Sequence, residues 1–210
     1  MNWPDHDRWV ALWATAGVAE TPEGWYERLT AAYSEPQRHY HNQLHIAECL
    51  AEYDPARGLA QQPAAVELAL WFHDAVYDPK VGDNEERSAA LARQCLAEAG
   101  ASVALAETVA KLVMATKSHE ADVDADAGLT VDVDLSILGK SEKRFSEYER
   151  QIREEYAWVP QPLFTAKRAE ILQRFLARPR IFATDWCLEK YERQARQNLE
   201  ASIAKLKKTS

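Results

Sequence analysis

The segment that most constrains this chain is a run that is apolar on nearly every side of a helix. Residues 64–72 (AAVELALWF) follow Gln62-Pro63 and lead directly into His73-Asp74. A helix that is apolar all round has no polar face to present to water, so it has to be buried. We therefore predict a central helix here, with other helices packed around it.

The other segments place apolar residues three and four positions apart, which predicts helices, and the sequence shows neither strand alternation nor an internal repeat. Asp5 is predicted to cap a first helix that ends at Gly17, and Thr21-Pro22 to begin a second that runs to about residue 33. Further helices are expected at about 84–99, from 102, in a short apolar segment that ends at 139, and in two or three pieces between 141 and 208. The pattern predicts one all-α domain with an appended C-terminal helical layer.

A third predicted helix holds His41 and His45 and ends near residue 54. Residues four apart share a face of a helix, so both imidazoles are expected on one side. The spacing is similar to that of the H-E-x-x-H metalloproteases, but Asn42 stands where that motif needs its glutamate base. This difference argues against a zinc protease.

Composition and charge exclude some classes of function. The chain has 210 residues, of which 47% are hydrophobic and 28% charged, as in an ordinary globular domain. Its net charge is −8, and its one basic cluster is the short tail Lys205, Lys207, Lys208. Stable nucleic-acid binding is not expected, because such binding depends on neutralising phosphates. A small anionic substrate is compatible with this charge, since a few cations or a metal ion can hold it.

The cysteines and the N-terminal segment predict a cytoplasmic protein. Cys49, Cys95 and Cys187 are isolated from one another, form no C-x-x-C motif and lie in helical apolar patterns. They are interpreted as small buried hydrophobic residues in a reducing compartment. The N-terminal residues resemble neither a signal peptide nor a transit peptide, and no apolar run approaches membrane-spanning length.

Four polar residues interrupt the apolar helical segments: His45, His73, Asp74 and Asp134. Two imidazoles and two carboxylates form the mixed nitrogen and oxygen ligand set that first-row divalent metals accept. Burying such groups is costly unless they share a partner, and one metal ion would satisfy all four. Neighbours in a regular helix point about 100° apart, so His73 and Asp74 can meet one ion only at a helix end or distortion.

The order of these residues resembles the HD superfamily of metal-dependent phosphohydrolases. The resemblance extends to the segments RHYHNQLHI (38–46), LALWFHDAVYD (68–78), DNEERSA (83–89) and DVDLSILG (132–139). These are similar to a bacterial branch described as predicted HD phosphohydrolases. The resemblance implies an HD-domain helical bundle over residues 1–210, with a metal-binding core at about 38–140 and additional C-terminal helices at about 141–208.

The resemblance also implies a cofactor and a reaction. The cofactor is one divalent transition metal ion (Mn, Co, Ni, Fe or Zn) bound by His45, His73, Asp74 and Asp134. A two-metal site would need further histidines between the HD pair and the last aspartate, where this chain has only His119. The reaction is hydrolysis of a phosphate ester, commonly in a nucleotide. Asp132 is an alternative to Asp134, which we prefer because it directly precedes the leucine, as the family's ligand usually does.

Other residues near these segments are candidates for catalysis and substrate binding. Asp78, four residues after Asp74, and Glu85, in the first turn of a predicted helix, are alternative bases for activating water. Glu85 has a second interpretation, because a carboxylate also suits the positive end of the helix dipole. Arg38 and His41, next to the first predicted ligand, are candidates for binding a phosphorylated substrate.

The leading hypothesis is therefore a phosphohydrolase acting on a small phosphorylated molecule of the nucleotide class. Two alternatives use the same fold. One is a non-catalytic or regulatory ligand-binding protein, because metal ligands alone do not establish turnover. The other is a metal-dependent oxygenase, in which iron would replace a redox-inactive ion.

Overall fold

A computed structural model describes residues 3–119 and 124–208, and every regular element within these ranges is helical. The α-helices are α1 (His6–Thr15), α2 (Trp25–Ala32), α3 (Gln43–Ala56), α4 (Pro63–Phe72), α5 (Asn84–Glu98), α6 (Val103–Ser118), α7 (Ala125–Asp134), α8 (Glu142–Glu155), α9 (Gln161–Leu176) and α10 (Asp185–Lys208). Short 3-10 helices occupy Arg57–Leu59 and Leu135–Gly139. The all-α class is confirmed. None of the helices in the described ranges combines the length and apolar character needed to cross a membrane.

The chain divides into two compact units, Met1–Asp134 and Leu135–Ser210. The first unit contains every residue that the sequence predicts for the functional site. The prediction of one domain, with a core at about 38–140 and a C-terminal layer at about 141–208, stays a prediction.

Helix α4 lies at the centre of the first unit, as its apolar pattern predicts. It contacts α1, α3, α5, α6 and α7, and its residues from Leu68 to Phe72 are fully buried. Trp9 of α1 packs edge-on against Trp71, with ring centroids 5.1 Å apart. Full burial of one large apolar side chain stabilises a fold by about 1.5–3 kcal/mol. The helix end that carries His73 and Asp74 is therefore anchored in the core.

In the second unit, α10 packs against α9 and against the 3-10 helix Leu135–Gly139, which also contacts α8. The 3-10 helix and α10 approach each other so closely that position 139 requires a glycine. A Cβ atom added at Gly139 would lie 2.5 Å from the Cβ of Tyr191. The two or three helical pieces predicted between 141 and 208 are three helices, α8, α9 and α10.

Two predicted helix starts are wrong. Helix α2 begins at Trp25, because Gly24 adopts a left-handed conformation (φ 74°) that is incompatible with a helix running from Pro22. Helix α3 begins at Gln43, because Asn42 is extended and its side chain accepts a hydrogen bond from Leu44 N. His41 therefore lies outside the helix that holds His45, and the two imidazoles do not share a helix face.

Helices α4 and α7 are joined near their N-terminal ends by a buried carboxylate. Asp126, in the first turn of α7, accepts hydrogen bonds from the backbone N–H groups of Gln61 (2.7 Å) and Gln62 (2.9 Å), which precede α4. Each helix has ten residues, and each leads at its C-terminal end to a predicted metal ligand. The pairing of the two starts thus sets the register in which the ligands meet.

We expect Asp126→Ala to lower the free energy of unfolding by about 1.5–3 kcal/mol, the usual contribution of hydrogen bonds to a charged group. The variant leaves two backbone donors without their acceptor. Urea denaturation measures the loss. Glu107→Ala is the matched control, because it removes an exposed carboxylate paired with Arg93 and should lower stability less. Equal losses in the two variants would contradict the role of Asp126.

Candidate metal centre

The structure brings the four predicted ligands together at the ends of three helices. His45 projects from α3, His73 and Asp74 follow α4 directly, and Asp134 is the last residue of α7. The Nε2 atoms of the two imidazoles lie 3.0 Å apart. The Oδ2 atom of Asp74 is 3.4 Å from His45 Nε2 and 3.1 Å from His73 Nε2. The Oδ1 atom of Asp134 is 3.3 Å and 3.6 Å from the same two atoms.

These separations fit a shared metal ion. Bonds of about 2.0–2.2 Å from a metal to nitrogen or oxygen place neighbouring ligand atoms about 3.0–3.5 Å apart. The Nδ1 atom of His73 lies 3.0 Å from the carbonyl oxygen of Leu70. A hydrogen bond donated there by Nδ1–H leaves the Nε2 lone pair free to bind a metal, which is the common arrangement for histidine ligands.

The imidazoles and the carboxylates differ in exposure. The side chains of His45 and His73 are 2% and 1% exposed, whereas those of Asp74 and Asp134 are 16% and 12% exposed. The cluster is therefore more open to solvent on the side of the carboxylates than on the side of the imidazoles.

The electrostatics of the cluster favour charged imidazoles beside charged carboxylates. Burial by itself lowers the pKa of His73, but the charge of Asp74 and the hydrogen bonds to both carboxylates outweigh it and raise the pKa well above 6.5. Burial raises the pKa of Asp74, but the charges of His73 and His41 and the imidazole hydrogen bonds hold it well below 3.8. The pKa values of His45 and Asp134 shift in the same respective directions. Without a metal ion, protons on the imidazoles balance the two carboxylate charges, so a metal ion would have to displace these protons.

Cys49 lies beside this cluster, one helical turn after His45. Its thiol is buried and free, as predicted, and His45, Cys49, His73 and Asp134 together offer donor atoms within 4.8 Å of one another that could hold a metal ion. The Sγ atom is 3.7 Å from Nδ1 and 3.8 Å from Nε2 of His45, so it lies alongside the ring. The Oδ2 atom of Asp74 lies closer to His45 Nε2 (3.4 Å) than the Sγ atom of Cys49 does (3.8 Å). Both side chains are therefore candidates for the fourth ligand.

His119 also contacts the cluster, in a role that the sequence did not predict. It ends α6 in the left-handed conformation (φ 50°), which is uncommon for a residue with a side chain. Its Nε2 atom is 3.2 Å from Oδ2 of Asp134, the oxygen opposite the one that meets the imidazoles. His119 thus orients the Asp134 carboxylate, as outer partners of metal ligands do. The only sequence feature that could have indicated this contact is the position of His119 along the chain, between His73-Asp74 and Asp134.

The four remaining predicted residues differ in their contacts. Among the described residues, neither Asp78 nor Glu85 forms a hydrogen bond or an ion pair with the four predicted ligands. Arg38 is buried and donates to backbone carbonyl oxygens, including that of Asp74 at 2.6 Å. The half-buried His41 ring stacks on Tyr77 with centroids 4.2 Å apart. The catalytic and substrate-binding roles of these residues stay predictions.

Searches of protein-family models, curated proteins and solved structures found no match to this chain.

Substitutions of Asp74 and of Cys49 should show which of the two side chains binds the metal ion. We expect Asp74→Asn to weaken binding of Mn²⁺ or Co²⁺ at least tenfold, because the ion loses a charged oxygen ligand. Cys49→Ser should retain the affinity and stoichiometry of the wild type. Isothermal titration calorimetry of chelator-treated protein measures both. Loss of binding in Cys49→Ser together with retention in Asp74→Asn would reverse the assignment.

Metal binding should release protons and weaken as the pH falls. Imidazole binds a metal only when deprotonated, and the pKa values of His45 and His73 lie well above 6.5, so an ion competes with protons even above that pH. The carboxylates, with pKa values well below 3.8, stay charged and add nothing to this dependence. Calorimetry in buffers of different ionisation enthalpy counts the released protons. A pH-independent affinity without proton release would contradict this account.

Proposed function

We propose that the protein is a metal-dependent phosphohydrolase of the HD superfamily that acts on a nucleotide-like phosphoester. The observation that carries this proposal is the convergence of two buried imidazoles and two partly exposed carboxylates within 3.0–3.6 Å. This is the ligand set that the family resemblance implies, in an arrangement that leaves one side accessible. The order of the ligands along the chain and the all-α fold support the same proposal.

The residues of the cluster would bind the metal ion and also determine the side from which a substrate approaches it. His45, His73, Asp74 and Asp134 would hold one divalent ion, which would polarise a phosphoryl oxygen and lower the pKa of an attacking water molecule. The buried imidazoles close the inner side against solvent. The carboxylates border the open side, from which a phosphate group can approach. The ring of the half-buried His41 has its centroid 5.9 Å from that of His45, and His41 would donate a hydrogen bond to a phosphate oxygen.

A carboxylate near the open side would accept the proton of the water molecule. The loop after α4 brings both candidates to the start of α5, because Asn84 donates from Nδ2 to the Asp78 carbonyl oxygen (2.9 Å) and accepts from Asp78 N (3.0 Å). Glu85 directly follows Asn84. The Asp78 carboxylate also accepts a hydrogen bond from Lys80 N, which fixes its direction.

The variants Asp78→Asn and Glu85→Gln should identify the base. Each keeps the shape of the side chain and removes its charge. The variant that lacks the base should keep its metal and lose roughly 10²–10⁴-fold in turnover, the usual effect of general acid–base catalysis. Glu86→Gln is the control, because Glu86 pairs with Lys117. Full turnover in both variants, with metal bound, would exclude both carboxylates as the base.

A substrate screen tests the proposed function directly. Chelator-treated protein is reconstituted with Mn²⁺, Co²⁺, Ni²⁺, Fe²⁺ or Zn²⁺ and incubated with a panel of nucleotides and simple phosphomonoesters. We expect metal-dependent phosphate release that Asp74→Ala abolishes. Ligand binding without turnover would favour a regulatory protein, and oxygen consumption with Fe²⁺ would favour an oxygenase. Either result would overturn the phosphohydrolase proposal.

A further inference from the structure

Arg38 lies in the turn before α3, and its side chain is 1% exposed. Its Nε atom donates to Glu35 Oε2 at 2.9 Å. Its Nη1 atom donates to the carbonyl oxygens of His41 (3.1 Å) and Asp74 (2.6 Å), and Nη2 donates to that of Ala75 (3.1 Å). Four of the five N–H groups of the guanidinium are therefore engaged within the protein.

The carbonyl groups of Asp74 and Ala75 belong to the turn that ends α4. Carbonyl oxygens just beyond the C-terminal end of a helix have no intrahelical partner, and the negative end of the helix dipole attracts a cation. Helix α4 ends at Phe72, and the chain continues as a turn at His73 and Asp74. The guanidinium holds this turn in place by two hydrogen bonds to the consecutive carbonyl oxygens of Asp74 and Ala75.

The same guanidinium also holds the second ligand-bearing segment. The carbonyl of His41 lies immediately before Asn42, the residue that caps α3 and so positions His45. The guanidinium carbon lies 5.1 Å from the ring centroid of Tyr33 and 5.6 Å from that of Tyr77, which confines it from the side. One buried cation thus connects the start of α3 to the end of α4.

We propose that Arg38 is a positioning residue of the metal centre, which sets the direction of Asp74 relative to His45 and does not contact the phosphate of a substrate. This inference rests on the proposed metal centre, and it replaces the substrate-binding role expected from the sequence. Lysine cannot take over this function. Its ammonium group is a point charge, whereas the planar fork of arginine reaches three carbonyl oxygens at once.

Cobalt binding tests this proposal without a turnover assay. The visible absorption of Co²⁺ depends on the number and arrangement of its ligands, so it reports the geometry of the centre. Arg38→Lys should bind Co²⁺ about 10–100-fold more weakly than the wild type, with an altered spectrum. The matched control is Arg93→Lys, because Arg93 pairs with Glu107 at the surface. Its affinity and spectrum should equal those of the wild type.

The outcomes separate this proposal from the proposed function. An unchanged cobalt affinity and spectrum in Arg38→Lys, with an increased KM for a phosphoester, would overturn the positioning role and leave the phosphohydrolase intact. An altered spectrum together with no phosphoester turnover in the wild type would support the positioning role and overturn the phosphohydrolase. A wild type that binds no Co²⁺ would overturn both. If Arg38→Lys does not fold, Arg38→Gln is judged by the same criteria.

Discussion

The contact on which the site depends is the meeting of two buried imidazole nitrogens, 3.0 Å apart, between two carboxylates. Such an arrangement is costly inside a protein unless positive charge is shared among its members. Protons can supply that charge, as the raised pKa values of His45 and His73 indicate. A divalent ion would supply the same two positive charges at a single point, and the distances between the ligand atoms fit such an ion.

The surrounding fold serves this contact by controlling where helices begin and end. Asp126 joins the starts of α4 and α7, and these helices lead to the HD pair and to Asp134. Arg38 holds the turn after α4, and His119 holds the outer oxygen of Asp134. Each of these three contacts is made by a polar side chain at or next to a helix terminus, where backbone groups lack partners. The centre is thus assembled from helix ends, where adjacent residues can turn toward one point.

The sequence predicted the all-α class, the central helix and the four residues that converge, because apolar spacing and isolated polar residues are visible along the chain. The sequence placed His41 inside the helix of His45, because the helical pattern continues on both sides of Asn42. In the structure Asn42 caps the helix, which therefore begins after His41. The sequence assigned no role to the contacts of Arg38, since their acceptors are backbone carbonyl groups 36 and 37 residues away. The position of Cys49 beside the His45 ring likewise depends on packing that spacing alone does not reveal.

The most direct test of the central claim is anomalous diffraction from crystals grown with Mn²⁺ or Co²⁺. We predict one strong peak in the first unit, about 2.0–2.3 Å from His45 Nε2, His73 Nε2 and a carboxylate oxygen each of Asp74 and Asp134. A peak bonded to Cys49 without Asp74, or the absence of any peak between the imidazoles at saturating metal, would contradict it.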